Sequence, residues 1–587
     1  MESNYWARAQ HRLVSRRLLA TTGVAGAGLA AAGLVGCGDD DEDAPSASTQ
    51  PGAATKPPQR GGTYRTGAIG YPTTFNPQLS GAGAIRTRAA SRLFVSEMGP
   101  GVPVVTSRVV PDAISSFETP DPLTFIVKMH PKVKFGAPVN RIANAADVVY
   151  SFDRYTGGIA GVTASPEAGE TKRIFDSWTA VDPQTVRFKL KNPQANVAYR
   201  LGSTYTPYIM PVEADKAYDP NKVAVGTGAW LLDKTVTGSQ LTFKRNPDWH
   251  GGPDRPYLDS VEEYTVGDAT VNLTQFLGGS LDRLPYVPGN DIERIRSTIK
   301  GVQFSLLALG DPVHMSGLAF SGKDTNPPWR DPRVRQAVSM ALDRDSMTEA
   351  AYEIGKLKRL GIDTKVEWNG FIPVAMGDYW LDPKREGPNK MDQNSARFFK
   401  YDPEGAKKLL AEAGFPNGFS GAKLHYPGIF GAGYNTLAEL TVQFLSKVGI
   451  NLVLTLDDYQ GVYVPRTRQG NYDGMAFIPY GTYLDPGEVL TGMYLKGGNR
   501  NNSVLSGLID DPDLERKVNA IETNLVAESR KKAILDLQNE LALKMYYVPM
   551  QAGAANTVVA YQPYMRNVLE YASRAAGESE SYFWIDK

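Results

Sequence analysis

Cysteine is almost missing from this chain: Cys37 is the single one among 587 residues. A lone thiol excludes an intrachain disulfide framework and a cysteine-rich metal site. Histidine is nearly as scarce, occurring only as His11, His130, His250, His314 and His425. None has a second His or Cys at ligand spacing, so neither H-E-x-x-H nor C-x-x-C occurs. The G-x-S-x-G elbow of serine hydrolases and the G-x-x-x-x-G-K-[ST] phosphate loop are absent as well. Gly226-Thr227-Gly228 opens like a dinucleotide fingerprint, but it lacks the third glycine and reads as turn residues. No charge of either sign is in excess, because 63 Lys and Arg balance 63 Asp and Glu. That balance argues against nucleic acid as the main partner. No catalytic residue, metal ligand or cofactor site is therefore assigned. A glycosidase-type carboxylate pair is a spatial arrangement that sequence does not reveal.

What is present begins with an address. Ser15-Arg16-Arg17-Leu18-Leu19 forms a twin-arginine signal, and an uncharged run rich in Ala, Gly and Leu extends from Leu18 to Val35. Its length is borderline for spanning a bilayer and its glycines make it weakly apolar, so it reads as an export signal. The run ends in Leu34-Val35-Gly36-Cys37, which resembles a bacterial lipobox, and Cys37 is the expected lipidation site. Residues 1–37 are read as the signal and 38–60 as a flexible tether, acidic from Asp39 to Asp43 and then rich in Ala, Pro, Ser, Thr and Gly. Lipid anchoring implies two or more acyl chains, since one holds weakly.

The remaining length exceeds one compact core and predicts roughly two to four lobes. Phe125, Val127 and Met129 alternate with Ile126 and Lys128. Val186, Phe188 and Leu190 alternate with Arg187 and Lys189, as strands with one buried face do. Thr237-Gly238-Ser239 joins two strand-like runs into a hairpin. Asp331-Pro332 and Asp402-Pro403 each start a helix, with Asp as N-cap and Pro at the first helical position. Gly414 and Gly449 are natural helix stops. A helical stripe from Leu437 to Val448 runs into the strand-like Ile450, Leu452, Leu454, Leu456, and Tyr472 to Ile478 forms another strand. Helix, strand, connection, strand predicts α/β lobes with partly parallel sheets, whose ligand clefts lie between lobes.

Several blocks in a fixed order resemble one family. They include Gly61-Gly62-Thr63-Tyr64, Ala146-Asp147-Val148-Val149-Tyr150-Ser151-Phe152, Arg245-Asn246-Pro247-Asp248-Trp249, Arg333-Val334-Arg335-Gln336-Ala337-Val338 and Tyr401-Asp402-Pro403. The chain is identified by them as similar to the family 5, peptide- and nickel-type solute-binding proteins of ABC importers. The resemblance implies a periplasmic-binding-protein-like α/β fold of cluster C type with three lobes. Lobe I would comprise 61–105, 226–318 and 550–587; lobe II would comprise 106–225 and lobe III 319–549. It further implies a monomer that closes on its ligand by a hinge, presents itself to a membrane permease, works outside the cytoplasm and is not an enzyme. Carried over by position, the ligand-binding candidates are Phe75, Gly81, Ala82, Tyr480, Thr482, Tyr483, Asn502 and Gln551. Trp329 and Tyr494 are further rings that would stack on a planar solute. Peptide-binding members hold the α-amine with an Asp in a Trp-x-Ala-Asp-Tyr stretch. This chain has Thr482 there, with Pro479 in place of the Trp; a slip of register would bring in Asp485 instead. The competing expectations are a secreted, lipid-anchored hydrolase of peptides or glycans and a ligand sensor for a membrane receptor.

Overall fold

The computed structural model describes residues 56–586 except Ile69, 103–107, 307–315, Asp363, Lys365, 429–431, 480–482, Asn499, 551–557 and 570–575. The signal, most of the tether, and the candidates Cys37, Tyr480, Thr482 and Gln551 lie outside the described residues.

A seven-stranded sheet draws on three distant stretches of chain. Its order is Gln303–Leu306, Val558–Tyr561, Arg283–Val287, Thr63–Ala68, Ser260–Thr265, Gln240–Arg245, Trp230–Val236. Thr63–Ala68 runs parallel to both of its neighbours. Parallel neighbours need a crossover, and the helix Ala269–Leu277 supplies one, capped by Asp268 on the Val271 N–H. The expected hairpin is the antiparallel pair Trp230–Val236 and Gln240–Arg245.

A four-stranded antiparallel sheet runs in the order Ile114–Asp121, Thr124–Met129, Thr185–Leu190, Phe175–Asp182. Phe125, Val127, Val186 and Phe188 are fully buried while Lys128, Arg187 and Lys189 stay exposed, as the alternation requires. The helix Ala145–Thr156 packs on this sheet. It opens with a reciprocal capping box between Asn144 and Asp147 and stops at left-handed Gly157.

The third sheet is mixed and five-stranded: Ile450–Leu456, Phe419–Tyr426, Met475–Pro479, Ser316–Phe320, Tyr547–Pro549. Its first three strands are parallel and the last two antiparallel to their neighbours. Helix Ala432–Ser446 connects the first parallel pair. Asp331 and Asp402 cap helices Pro332–Met340 and Pro403–Glu412, as their Asp-Pro pairs predict. The alternation from Ile450 fails at its end, where Leu456 is 64% exposed, because an edge strand outruns the core beneath it.

Each sheet has its own apolar core. The four-stranded one is joined to the five-stranded one by Leu484, which packs into the former while its chain neighbour Tyr483 packs into the latter. Trp329 and Tyr494 belong to the core of the five-stranded sheet, at 2% and 3% exposure. The Trp329 indole donates to the Ser321 carbonyl and lies against Phe320 and Phe419, and Tyr494 lies edge-on to Tyr547, so both rings serve this core.

Candidate functional site

Segments from all three sheets converge on a cluster of buried guanidiniums. The first is set in place by glycine. The helical turn Ile85–Ala89 runs directly over Gly226 and Gly228, and the Gly228 N–H donates to the Ala89 carbonyl at 2.9 Å. A Cβ on Gly226 would lie 1.7 Å from that oxygen, and one on Gly228 2.3 Å from the Arg88 carbonyl. These glycines are needed for close backbone approach, not for a turn. The turn so held carries Arg86.

Arg86 is almost fully buried and donates from Nη2 to Glu167 Oε2 at 3.0 Å and to the Thr204 carbonyl. Its guanidinium lies 5.1 Å from the centre of the Tyr208 ring. Burial opposes the charge on Glu167, but Arg86 and then Arg468 outweigh it and hold the carboxyl below its usual range. Arg468 ends the short helix Val464–Arg468 and approaches Glu167 Oε1 at 3.9 Å. Arg500 donates to the Tyr205 hydroxyl at 2.8 Å, and its guanidinium lies 5.1 Å from that ring's centre. Arg500, and then burial, hold the Arg468 guanidinium below its ordinary range. The Tyr483 phenol is pushed well up by burial and feels Arg500 and Tyr205.

A second tier lies beside the first. Arg200 sits 3.2 Å from Glu170, 3.5 Å from Glu488 and 3.1 Å from Glu522. Arg173 binds Glu170 at 2.8 Å and Glu522 at 2.6 Å. Asp485 caps helix Pro486–Tyr494 through the Gly487 N–H and takes a bidentate pair from Arg530 at 2.6 and 2.9 Å. Asn196 donates to the same carboxylate at 2.9 Å. Asp485 is thus fully committed and does not serve as an ammonium anchor. Burial pushes Glu488 up to about 7, only partly offset by Arg200. This tier ties the segment 170–200, next to the four-stranded sheet, to helices on the five-stranded one.

The positional candidates fall at different depths. Tyr483 lies in the cluster, 1% exposed. Asn502 stands behind it, donating to the Thr467 carbonyl at 2.7 Å and so steadying the chain at Arg468. Phe75 and Ala82 pack in the core of the seven-stranded sheet on the approach to Arg86. Gly81 faces Thr73, where a Cβ would meet Oγ1 at 2.2 Å. Sequence reasoning missed Arg86, Glu167, Tyr205, Arg468 and Arg500. They sit in unrelated segments with no shared spacing, and no local signal marks them. Among the described residues no group of three or more His, Cys, Asp or Glu is placed to hold a metal ion.

This architecture, discontinuous sheets around a buried polar junction, is that of periplasmic binding proteins. The family profile of bacterial extracellular solute-binding proteins, family 5 (middle) matches residues 108–501. The chain belongs to that family. It is 25% identical over 448 residues to the dipeptide-binding protein of Escherichia coli (strain K12), covering 71% of this chain and 76% of that protein. The ABC transporter-associated periplasmic binding protein DppA from Helicobacter pylori, in complex with peptide STSA, superposes with a TM-score of 0.72 at 20% identity. It covers 90% of this chain and 99% of its own. The binding protein AgaA of Agrobacterium tumefaciens R10, in complex with agropinic acid, superposes at 0.71 with 22% identity, over 90% and 99% of the two chains. Members of this family are extracellular solute-binding proteins.

Proposed function

We propose that this protein is the solute-capturing component of an ABC importer and encloses a small polar, peptide-like solute where its three lobes meet. The observation that carries the reading is the junction itself. Arg86 comes from beside the seven-stranded sheet, Glu167 and Tyr205 from beside the four-stranded one, and Arg468, Arg500 and Tyr483 from beside the five-stranded one. A site assembled from three bodies forms only when they close together, so a ligand that bridges them shifts the population toward the closed form. The lobes proposed are 61–105 with 226–318 and 550–587, then 106–225, then 319–549, although the boundary at 318 falls inside the strand Ser316–Phe320 of the five-stranded sheet. Closed protein is the form a permease would recognise. The relatives support the role by name, one binding a dipeptide and another complexed with agropinic acid.

Native mass spectrometry of the purified full chain tests this by weighing any retained solute. A thermal-shift panel of short peptides, sugar acids and metal chelates follows, in which a ligand at a hundredfold excess over Kd adds roughly 2.7 kcal/mol. The expected result is an intact solute and a raised Tm. Chemical conversion of the bound compound, or no stabilisation by any class, overturns the reading.

A further inference from the structure

The second tier holds more acid than base where two of the proposed lobes meet. Glu170, Arg173 and Arg200 stand on the 106–225 side, and Glu488 and Glu522 on helices Pro486–Tyr494 and Pro512–Thr523 of the 319–549 side. The side chains of the three carboxylates and of Arg200 are each at most 5% exposed. Fully ionised, these acids and the two guanidiniums leave one negative charge out of water. Asp485 does not alter that balance, because Arg530 pairs with it. The partners are also unevenly shared. Burial opposes the charge on Glu522, but Arg173 and then Arg200 outweigh it. Arg173 serves Glu170 as well. Glu488 has Arg200 at 3.5 Å, the Leu484 N–H at 3.2 Å and the Ser203 hydroxyl. Glu170 Oε1 is buried without a hydrogen-bond partner among the described residues, and Glu170, Arg200 and Glu488 line a cavity of about 10 Å³. A buried carboxylate that lacks compensation takes up a proton instead of holding its charge.

We propose that closing the lobes over this tier takes up one proton from solvent, held at the Glu488 carboxyl, so that acidification favours the closed form. This rests on the hinge closure proposed above. Opening carries Glu488 and Glu522 away from Arg173 and Arg200 and returns each carboxylate to water, where it ionises. Closing buries them again, and the proton goes onto a Glu488 carboxylate oxygen. Burial is the dominant influence on Glu488. Arg200, the Leu484 N–H and Ser203 favour its ionised form, and Asp485 adds to burial. Glu170 and Glu522 stand around the same Arg200, and the nearby Tyr483 phenol is held protonated by burial. Glu488 titrates at about 7 when buried, against 4.5 in water. Between those values the closed form keeps the proton and the open form releases it. Falling pH across that window therefore shifts the population toward closure, by at most about tenfold per pH unit for one proton. Solute capture strengthens as the medium acidifies.

The test reads closure directly, without a solute. Spin labels at Val181→Cys on one lobe and Val453→Cys on the other, sites 48% and 53% exposed, are placed in the full chain carrying Cys37→Ala. Pulsed electron resonance then gives the distance between them from pH 8 to pH 4.5. The short-distance population is expected to grow as pH falls through the window. Glu488→Gln is neutral at every pH and should flatten the response. Glu522→Gln balances the tier by a different route and should flatten it too, which covers the case that one variant fails to fold; circular dichroism checks both. Glu515→Gln, on the exposed face of the same helix as Glu522, should leave the response unchanged. A wild-type distance that ignores pH but shortens with a compound of the thermal-shift panel overturns the proton linkage and leaves solute capture standing. A pH response that survives in Glu488→Gln and Glu522→Gln, or is lost in Glu515→Gln, does the same. A distance that moves with neither pH nor any compound counts against closure itself, and both readings fall.

Discussion

Glu488 is a second-tier carboxylate in which burial outweighs the charged partners. It is 1% exposed and shares Arg200 with Glu170 and Glu522. Arg173 adds a second guanidinium at Glu170 and Glu522 but none at Glu488, so burial prevails there and Glu488 is raised from 4.5 to about 7. The sign follows by linkage. Below the unfolded value both states carry the proton and the group is neutral in its effect. Between about 4.5 and 7 the unfolded chain releases the proton while the folded one keeps it, so stability falls as pH rises. Glu488→Gln removes this contribution and keeps an oxygen for the Leu484 N–H. Its Tm relative to wild type is expected to rise from pH 4.5 to pH 7 and level off above. A pH-independent difference in a melting series would remove Glu488 from this role. Asp485 shows the opposite outcome in the same burial: Arg530 and Asn196 outweigh desolvation and hold it low. Two carboxylates three residues apart are separated by their partners alone.

At the scale of elements, the turn Ile85–Ala89 illustrates how a short, irregular piece becomes a precise support. It has no side-chain cap and depends on what lies beneath it. Gly226 and Gly228 let the backbone of 226–229 seat against its carbonyls. Gly226→Ala is expected to force the two apart, costing about 1–3 kcal/mol as overpacking does. It should also weaken solute binding, because Arg86 moves with the turn. Gly267→Ala is the control, since a Cβ there meets nothing within 4 Å; its effect should stay within about 0.5 kcal/mol. Chemical denaturation and calorimetry read both quantities. Equal effects of the two substitutions would show that the close approach does not matter. The regular elements behave differently. Helices Pro332–Met340 and Pro403–Glu412 start where an Asp-Pro pair dictates, because the cap and the proline ring act within one turn of chain.

At the scale of the molecule, three sheets with separate cores are held together by buried charge rather than by a shared apolar seam alone. Arg200 and Arg173, in the segment from 170 to 200, meet Glu488 and Glu522 from beyond residue 480. Breaking such pairs one-sidedly costs about 3–5 kcal/mol, so the arrangement favours one docking of the lobes over others. Among the described residues no helix is long and apolar enough to cross a membrane. We propose that Cys37 is the acceptor of a lipid that attaches the protein to the membrane. Cells fed a labelled fatty acid should incorporate it into wild type and not into Cys37→Ala, which should leave the membrane fraction. A labelled, membrane-bound Cys37→Ala protein would refute the anchor.

Sequence by itself determined the local events. Strand alternation at Phe125–Met129 and Val186–Leu190, the helix starts at Asp331 and Asp402, and the stops at Gly414 and Gly449 all follow from forces acting over a few residues. The ordered blocks also carried the family. Only the tertiary structure decided the junction. Arg86 and Glu167, or Glu167 and Arg468, lie far apart in the chain, and nothing local distinguishes them from other arginines and glutamates. It likewise turned Gly226 and Gly228 from turn residues into contact points, and it committed Asp485 to Arg530. Charge pairing and backbone approach are decided by distance in space, which the order of residues encodes only through the completed fold.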